Sequence, residues 1–366
     1  MINVTKSELP NLKEYQEYVK QIWKRAWLTN NGKFVRQLEK KLPGYIGGKL
    51  LSLVTNGTLA MQLAIKALNL KGEIITTPFT FPATTNVILW EGCTPVFADI
   101  DPETYNIDPA DIEKKITNKT SAILAVHVYG NPCATERLEK LAKKNGLKII
   151  YDAAHAFGVK YKNKLIGSYG DISTFSFHAT KVFNTIEGGA ITTNSIQINK
   201  DVNLLRNFGI TGEEEVVLAG INAKMSEFQA AMGLLNLKKI NSKILLRKKI
   251  YELYKRLLQN NSSLKFQKLV TPDYNYAYLP ILFSDRKTRD LICAKLGKKG
   301  IKPRKYFYPL TNSYKFLTNY LNPFNMAKSF PNAVKISDGI LCLPLYSELK
   351  LEIVEKICQF INKYTK

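Results

Sequence analysis

The sequence predicts an α/β protein, a mostly parallel sheet with crossover helices on both faces, followed by a smaller α+β portion. Three observations carry this prediction. Between about residues 50 and 195, short apolar runs alternate with stretches at helical spacing. Residues 224–260 then read as one long helix with no strand signal for some 35 positions. Beyond it come one clear strand candidate, a helix, a loop rich in Pro and Tyr, and a terminal helix. A chain of 366 residues is long enough for two such parts at about 100 to 200 residues each. The reading places a large domain at 1–240, whose N-terminal segment can pack on the small domain, and a small C-terminal domain at 241–366.

In chain order, the strand-like run 51–54 leads into 59–68, where apolar residues recur at helical spacing. Residues 73–77 and 95–98 look like short strands. The near-continuous apolar runs 120–126 and 147–151 are of the kind that parallel sheets bury on both faces. A helical stretch, 135–145, falls between them. After the long helix, 276–283 reads as a strand and 287–298 as a helix. Residues 303–309 read as loop, and the last helix starts near residue 348.

With 45% hydrophobic and 23% charged residues, the composition is that of a packed globular protein and excludes disordered and fibrous classes. No apolar run approaches the roughly 18 to 20 residues of a membrane span. The start, MINVTKSELP, lacks the apolar core of a signal peptide, so a soluble, cytoplasmic protein with no membrane partner is expected. Five scattered cysteines with no C-x-x-C pair indicate a reducing compartment and neither a disulfide framework nor a zinc site. The formal charge of +23 suits a nucleic-acid binder or an enzyme of anionic substrates. However, only nine of the 53 basic residues are Arg, the side chain suited to bidentate base and phosphate recognition. The lysines form no block, so the reading is no nucleic acid.

Three segments carry chemistry. In Thr55-Asn56-Gly57-Thr58-Leu59, a Gly and a hydroxyl residue open a helix, whose free N–H groups suit an anion; the same residues also read as an ordinary turn and N-cap. Asp152 follows an apolar strand, where open α/β sheets place their ligands, and reads equally as a solvated or capping acid. In FSFHATKVFNTIEGGA (175–190), Lys181 sits among aromatic, hydroxyl and small residues, where desolvation lowers an amine's pKa and leaves it nucleophilic. Together these are the needs of pyridoxal 5'-phosphate: an amine for its aldehyde, a carboxylate for its pyridine nitrogen, and a helix N-terminus for its phosphate.

At this point the sequence resembles the DegT/DnrJ/EryC1/StrS sugar aminotransferases. The segments TPFTFPATTNVILWEGCTPVFADIDPETYNIDP (77–109), VHVYGNP (126–132), YDAAHAFG (151–158), GDISTFSFHATKVFNTIEGGAITTN (170–194) and AGINAKMSEFQAAMGLLNL (219–237) are similar to that family's successive motifs. The resemblance implies the aspartate-aminotransferase fold, type I, and a homodimer with shared active sites. It further implies that Lys181 is the Schiff-base lysine and Asp152 the partner of the pyridinium nitrogen. His155 would lie beside the phenolic oxygen, and Phe81 would stack on the ring. Gly57, Thr58, the Leu59 N–H and Ser176 would hold the phosphate, with Asn222 reaching it from the other subunit. His178, Lys224 and Tyr308 would face the substrate. The sequence departs from the family's motifs at Tyr151 in place of an acid, at Ala223-Lys224 in place of Tyr-Arg, and at Thr311 in place of a His. The last two bear on the sugar-nucleotide side.

The implied reaction moves an amino group from L-glutamate to C4 or C3 of a nucleotide-linked keto-6-deoxyhexose, taken as dTDP-linked, for a surface polysaccharide such as an O-antigen. His178, three residues before Lys181, leans this toward C4 and reads as a wall residue or sugar contact, because the released Lys181 is the natural proton shuttle. The histidines show no metal-binding spacing, and no G-x-G-x-x-G follows a strand. Two other classes compete with this reading. A non-catalytic regulator or nucleic-acid binder on the same fold has no need of Lys181 and Asp152 together. A sugar dehydratase using pyridoxamine phosphate would have His at the lysine position.

Overall fold

A computed structural model describes residues 1–319 and 330–365. Helices α1 (Leu12–Arg25) and α2 (Lys33–Lys41) precede the sheet. Strand β1 (Leu50–Val54) runs into α3 (Gly57–Ala67), which Asn56 starts by accepting the Leu59 N–H at 2.8 Å. After β2 (Glu73–Thr76), Pro82 supplies a preset φ and no surplus N–H at the first position of α4 (Pro82–Trp90). Then come β3 (Thr94–Phe97), α5 (Pro109–Lys115), β4 (Thr120–Val126) and α6 (Thr135–Asn145), which ends where Gly146 turns left-handed. Strands β5 (Lys148–Asp152), β6 (Ile172–Ser176) and β7 (Gly189–Thr193) complete the sheet, and α7 (Ile196–Leu205) covers it.

Among the described residues these seven strands lie in the order β1-β7-β6-β5-β4-β2-β3. Neighbours from β6 through β3 are parallel, whereas β7 runs antiparallel to both β1 and β6. The sheet is therefore mostly parallel and buried on both faces, which is why β4 and β5 read as unbroken apolar runs. The carboxyl ends of β1, β5 and β6 open on one edge, the place where such sheets bind ligands.

Helix α8 (Glu227–Leu258) opens with a reciprocal capping box between Ser226 and Gln229 and runs for 32 residues. Strand β8 (Leu264–Phe266), strand β9 (Leu279–Phe283), helix α9 (Arg286–Lys298), helix α10 (Pro331–Gly339), strand β10 (Ile340–Leu343) and helix α11 (Leu351–Thr365) follow. Strands β8, β9 and β10 form an antiparallel sheet in that order. The N-terminal residues Ile2–Asn3 pair with Ile301–Lys302, so the start of the chain packs on this later part. The boundary placed at residue 240 falls inside α8. Strand β9 begins three residues after its expected start, because Tyr276 sits at φ 54°, outside any strand conformation. Helices α1, α2, α7 and α10 and strands β6, β7, β8 and β10 had no element assigned to them from sequence.

Candidate active site

Asp152 ends β5 with its carboxylate buried. One oxygen accepts the Ala154 N–H at 3.0 Å and the other accepts the Thr84 hydroxyl at 3.0 Å. Burial pushes the carboxyl pKa up, while these two donors and the nearby Lys181 cation pull it down. Lys181 lies beyond β6 in the turn closed by its own N–H to the His178 carbonyl. Burial lowers its amine to about 8, against the opposing pull of Asp152. A lysine so placed is neutral often enough near neutral pH to act as a nucleophile and proton carrier.

Both residues line a cavity of about 410 Å³ with Gly57, Thr58, Phe81, His155, Ser176 and His178. Gly57 is there because nothing larger fits: a Cβ at that position would stand 2.7 Å from the Ser176 Cβ. The start of α3 and the end of β6 thus meet as a cradle of backbone N–H groups and one hydroxyl. The Leu59 N–H, expected to hold phosphate, is instead donated to Asn56 Oδ1. The first-turn donors left for a ligand are those of Gly57 and Thr58.

His155 lies nearly parallel to Phe307, 4° between planes and 6.1 Å between centroids, and contacts Tyr278 at 4.8 Å. Burial and Lys181 hold its pKa well below the usual value, so the ring is neutral. Its Nδ1 is buried without a protein partner. Phe81 caps α4 and is half exposed although apolar, a face left for a flat ligand. An orphan imidazole nitrogen, a glycine cradle, a buried carboxylate short of positive charge and an amine of lowered basicity fit pyridoxal phosphate.

His178 stands at the rim, with Nδ1 2.8 Å from the Thr180 hydroxyl and Nε2 3.5 Å from Glu187. Tyr308 lines an adjoining cavity of about 300 Å³ with Arg304, Lys305 and Tyr314, and Thr80, Phe81, Tyr306 and Phe307 belong to both cavities. Asn222 and Lys224 do not reach the Lys181 cavity of their own chain. Asn222 is exposed and bridges Asn207, and Lys224 packs over Phe208 beside a separate polar cavity. Thr311, expected on the substrate side, is fully buried: its hydroxyl lies between Thr85 Oγ1 at 2.9 Å and the Pro78 carbonyl at 3.3 Å. It ties the loop after Tyr308 to α4 and lines neither of these two cavities. Sequence reasoning passed over Thr80, Thr84, Glu187, Tyr278 and Phe307. The first two lay inside the quoted TPFTFPATT segment, whose paired hydroxyls four residues apart were the available signal.

The sequence pattern of the DegT/DnrJ/EryC1/StrS aminotransferase family matches residues 11–362. A dTDP-4-amino-4,6-dideoxy-D-glucose transaminase of Escherichia coli is 43% identical over 366 residues, covering 98% of both chains. A transaminase of the same name from Shigella dysenteriae is 41% identical over 99% of this chain and 98% of its own. Among solved structures, DesI, crystallised in the presence of its TDP-sugar product, shares 31% identity with a TM-score of 0.90 over 99% of this chain and 92% of that one. Helicobacter pylori PseC, an aminotransferase of pseudoaminic acid biosynthesis, shares 30% with a TM-score of 0.91 over 100% and 99%. Likeness along the full length, joined to a lysine, an aspartate and a glycine-bounded helix N-terminus in one cavity, makes this chain a transaminase belonging to the DegT/DnrJ/EryC1/StrS family.

Proposed function

We propose that this transaminase places an amino group on C4 of a dTDP-linked 4-keto-6-deoxyhexose, with L-glutamate as donor and pyridoxal phosphate as cofactor. The observation that carries the reading is the single cavity in which Lys181, Asp152, the unpartnered His155 Nδ1 and the Gly57–Ser176 cradle converge. The choice of C4 and of dTDP rests on the two relatives above 40% identity, both named for a dTDP-4-amino sugar. The cofactor, when bound, supplies an aldehyde that takes up the amino group and a ring that draws electron density from the reacting carbon.

The chain's residues do the rest. Lys181, with an amine made partly neutral by burial, would hold the cofactor and is placed to carry a proton between the donor and acceptor carbons. Asp152 holds a proton on the pyridine nitrogen, which needs an ionised carboxylate; the Ala154 and Thr84 donors favour that form against burial. His155, whose buried Nδ1 has no protein partner, would offer that nitrogen to the cofactor's ring oxygen, and the half-exposed Phe81 would cover its ring. Glu187 and Thr180 fix the His178 ring at the rim where the sugar enters.

The reading extends to a cytoplasmic homodimer in which Asn222 serves the partner's cavity, to a division near residue 240, and to a product destined for a surface polysaccharide. The test is a panel of dTDP-, UDP- and GDP-linked 3-keto and 4-keto-6-deoxyhexoses with L-glutamate and pyridoxal phosphate, read by mass spectrometry. The dTDP-linked 4-keto sugar is expected to be aminated fastest. Amination confined to 3-keto substrates overturns the C4 assignment, and no amination of any member overturns the substrate class.

A further inference from the structure

Thr84 in helix α4 and Thr80, just before that helix, form a pair whose hydroxyls lead from the cavity wall to Asp152. A buried threonine inside a helix ordinarily turns its hydroxyl back to the carbonyl one turn earlier. Thr84 does not. Its hydroxyl donates to Asp152 Oδ2 at 3.0 Å across 68 residues of sequence, and its oxygen lies 2.8 Å from the Thr80 hydroxyl. Both threonines are fully buried, and Thr80 lines the cavity. The direction of the chain follows from the number of hydrogens. An ionised carboxylate only accepts, so the single hydrogen of Thr84 goes to Asp152. The hydrogen between the two threonines must then come from Thr80. Each donation polarises the next, and Thr80 is left with lone pairs alone toward the cavity.

We propose that Thr84, backed by Thr80, is a positioning residue that keeps Asp152 ionised and aimed at the cofactor's ring nitrogen. The inference rests on the proposed binding of pyridoxal phosphate in this cavity. Of the other titratable groups near Asp152, Lys181 and Cys133 act on the carboxylate only through space, and the Cys133 thiol is engaged by the Val126 carbonyl. His155 is neutral. The Ala154 N–H is the one other direct donor to the carboxylate among the described residues. Loss of the Thr84 hydroxyl therefore removes half of the direct hydrogen bonding that opposes burial. The sign is fixed: the carboxylate takes up a proton at higher pH, and the acid side of the working range moves up.

The test uses full-length protein as Thr84→Val, Thr84→Ser and Thr80→Val. Two readouts serve, the pyridoxal phosphate affinity by fluorescence and the acid limb of kcat/KM against pH. Thr84→Val is expected to weaken cofactor binding about tenfold and to move the acid limb up by about one pH unit, the scale of one hydrogen bond to a charged group. Thr84→Ser restores both, and Thr80→Val shifts both in the same direction by less. A Thr84→Val protein that superimposes on wild type, or a Thr84→Ser protein shifted as far as the valine, overturns the inference. Should Thr84→Val not fold, an unshifted Thr80→Val overturns it in its place. Wild-type protein that takes up no pyridoxal phosphate overturns the cofactor reading itself, which the variants alone cannot do.

Discussion

At the scale of single residues, the site's electrostatics set two expectations. With the Lys181 amine at about 8, the neutral fraction rises about tenfold between pH 7 and pH 9. The rate at which cofactor-free protein captures pyridoxal phosphate should rise with it, followed as growth of visible absorbance. Lys181→Ala and Lys181→Arg should abolish that growth and turnover together, because a guanidinium stays protonated and has no nucleophilic lone pair. A capture rate flat across that range, or turnover of Lys181→Ala within tenfold of wild type, would show that the amine reacting is another one. Gly57 separates binding from stability. Its φ is not in the left-handed region, so alanine suits the backbone and loses less chain entropy on folding. Against this, the new Cβ at 2.7 Å forces Ser176 and the start of α3 apart. Gly57→Ala should therefore weaken cofactor binding at least about tenfold while its Tm stays within a few degrees of wild type. Lys181, Asp152 and Gly57 were legible because each stands in a contiguous segment whose chemistry is odd for its surroundings. Tyr278 and Phe307 were not, because what defines them is a contact with His155 across more than a hundred residues that no local spacing announces, and the Thr80–Thr84 spacing shows a hydroxyl pair without showing that it reaches Asp152.

At the scale of elements, α2 shows how much of a fold can depend on a partner far along the chain. Its N-cap is Gly32, which has no side chain to accept the first N–H groups. Glu227, at the start of α8, does so instead: its fully buried carboxylate accepts from the Phe34 N–H at 2.9 Å and the Val35 N–H at 2.9 Å, with Arg25 at 3.3 Å. A Cβ on residue 32 would lie 2.5 Å from the Glu227 Cδ, so a conventional cap residue and this carboxylate exclude one another. Glu227→Ala leaves two buried N–H groups and a guanidinium without their acceptor. It should cost about 3 kcal/mol, read as a lower midpoint in urea with an unchanged slope. A loss below about 1 kcal/mol would mean that water or a shifted α2 replaces the carboxylate. The same arrangement explains what the sequence concealed. Gly32 signals no helix start, so α2 went unread, whereas α8, which has its own capping box, was placed within three residues at both ends. Strands β4 and β5 were legible because burial on both faces makes them uniformly apolar. Strand β6 brings Thr174 and Ser176 to the cavity, and Thr192 and Thr193 of β7 donate to the carbonyls of Gly167 and Asp171, so the apolar signal of both strands is interrupted.

At the scale of the molecule, the charge of +23 is not concentrated at the site. The cavity sets Lys181 against Asp152 and Glu187, while Arg304 and Lys305 stand in the adjoining one. The excess is spread over the surface, where it can steer an anionic substrate without naming it. Assembly is where the proposed reading makes its most specific demand. Asn222, implied by the family's motifs to touch cofactor phosphate, is exposed and outside its own chain's cavity. In a twofold dimer each site would then combine Lys181 from one protomer with Asn222 from the other. This arrangement has a consequence that separates it from a site built in one chain. Lys181→Ala protein has no reactive lysine anywhere, and Asn222→Ala protein has no phosphate asparagine anywhere, so each parent is impaired at both sites. In a mixed dimer under the shared arrangement, one site carries both defects and the other carries neither. Random exchange makes half the dimers mixed, so the mixture should recover about one quarter of wild-type activity per chain. If each site drew both residues from its own chain, every site in the mixed dimer would keep one defect, and the mixture would only average its parents. Exchange is confirmed by a size tag on one parent; a mixture that contains tagged heterodimers and never exceeds its parents would assign Asn222 to the surface alone.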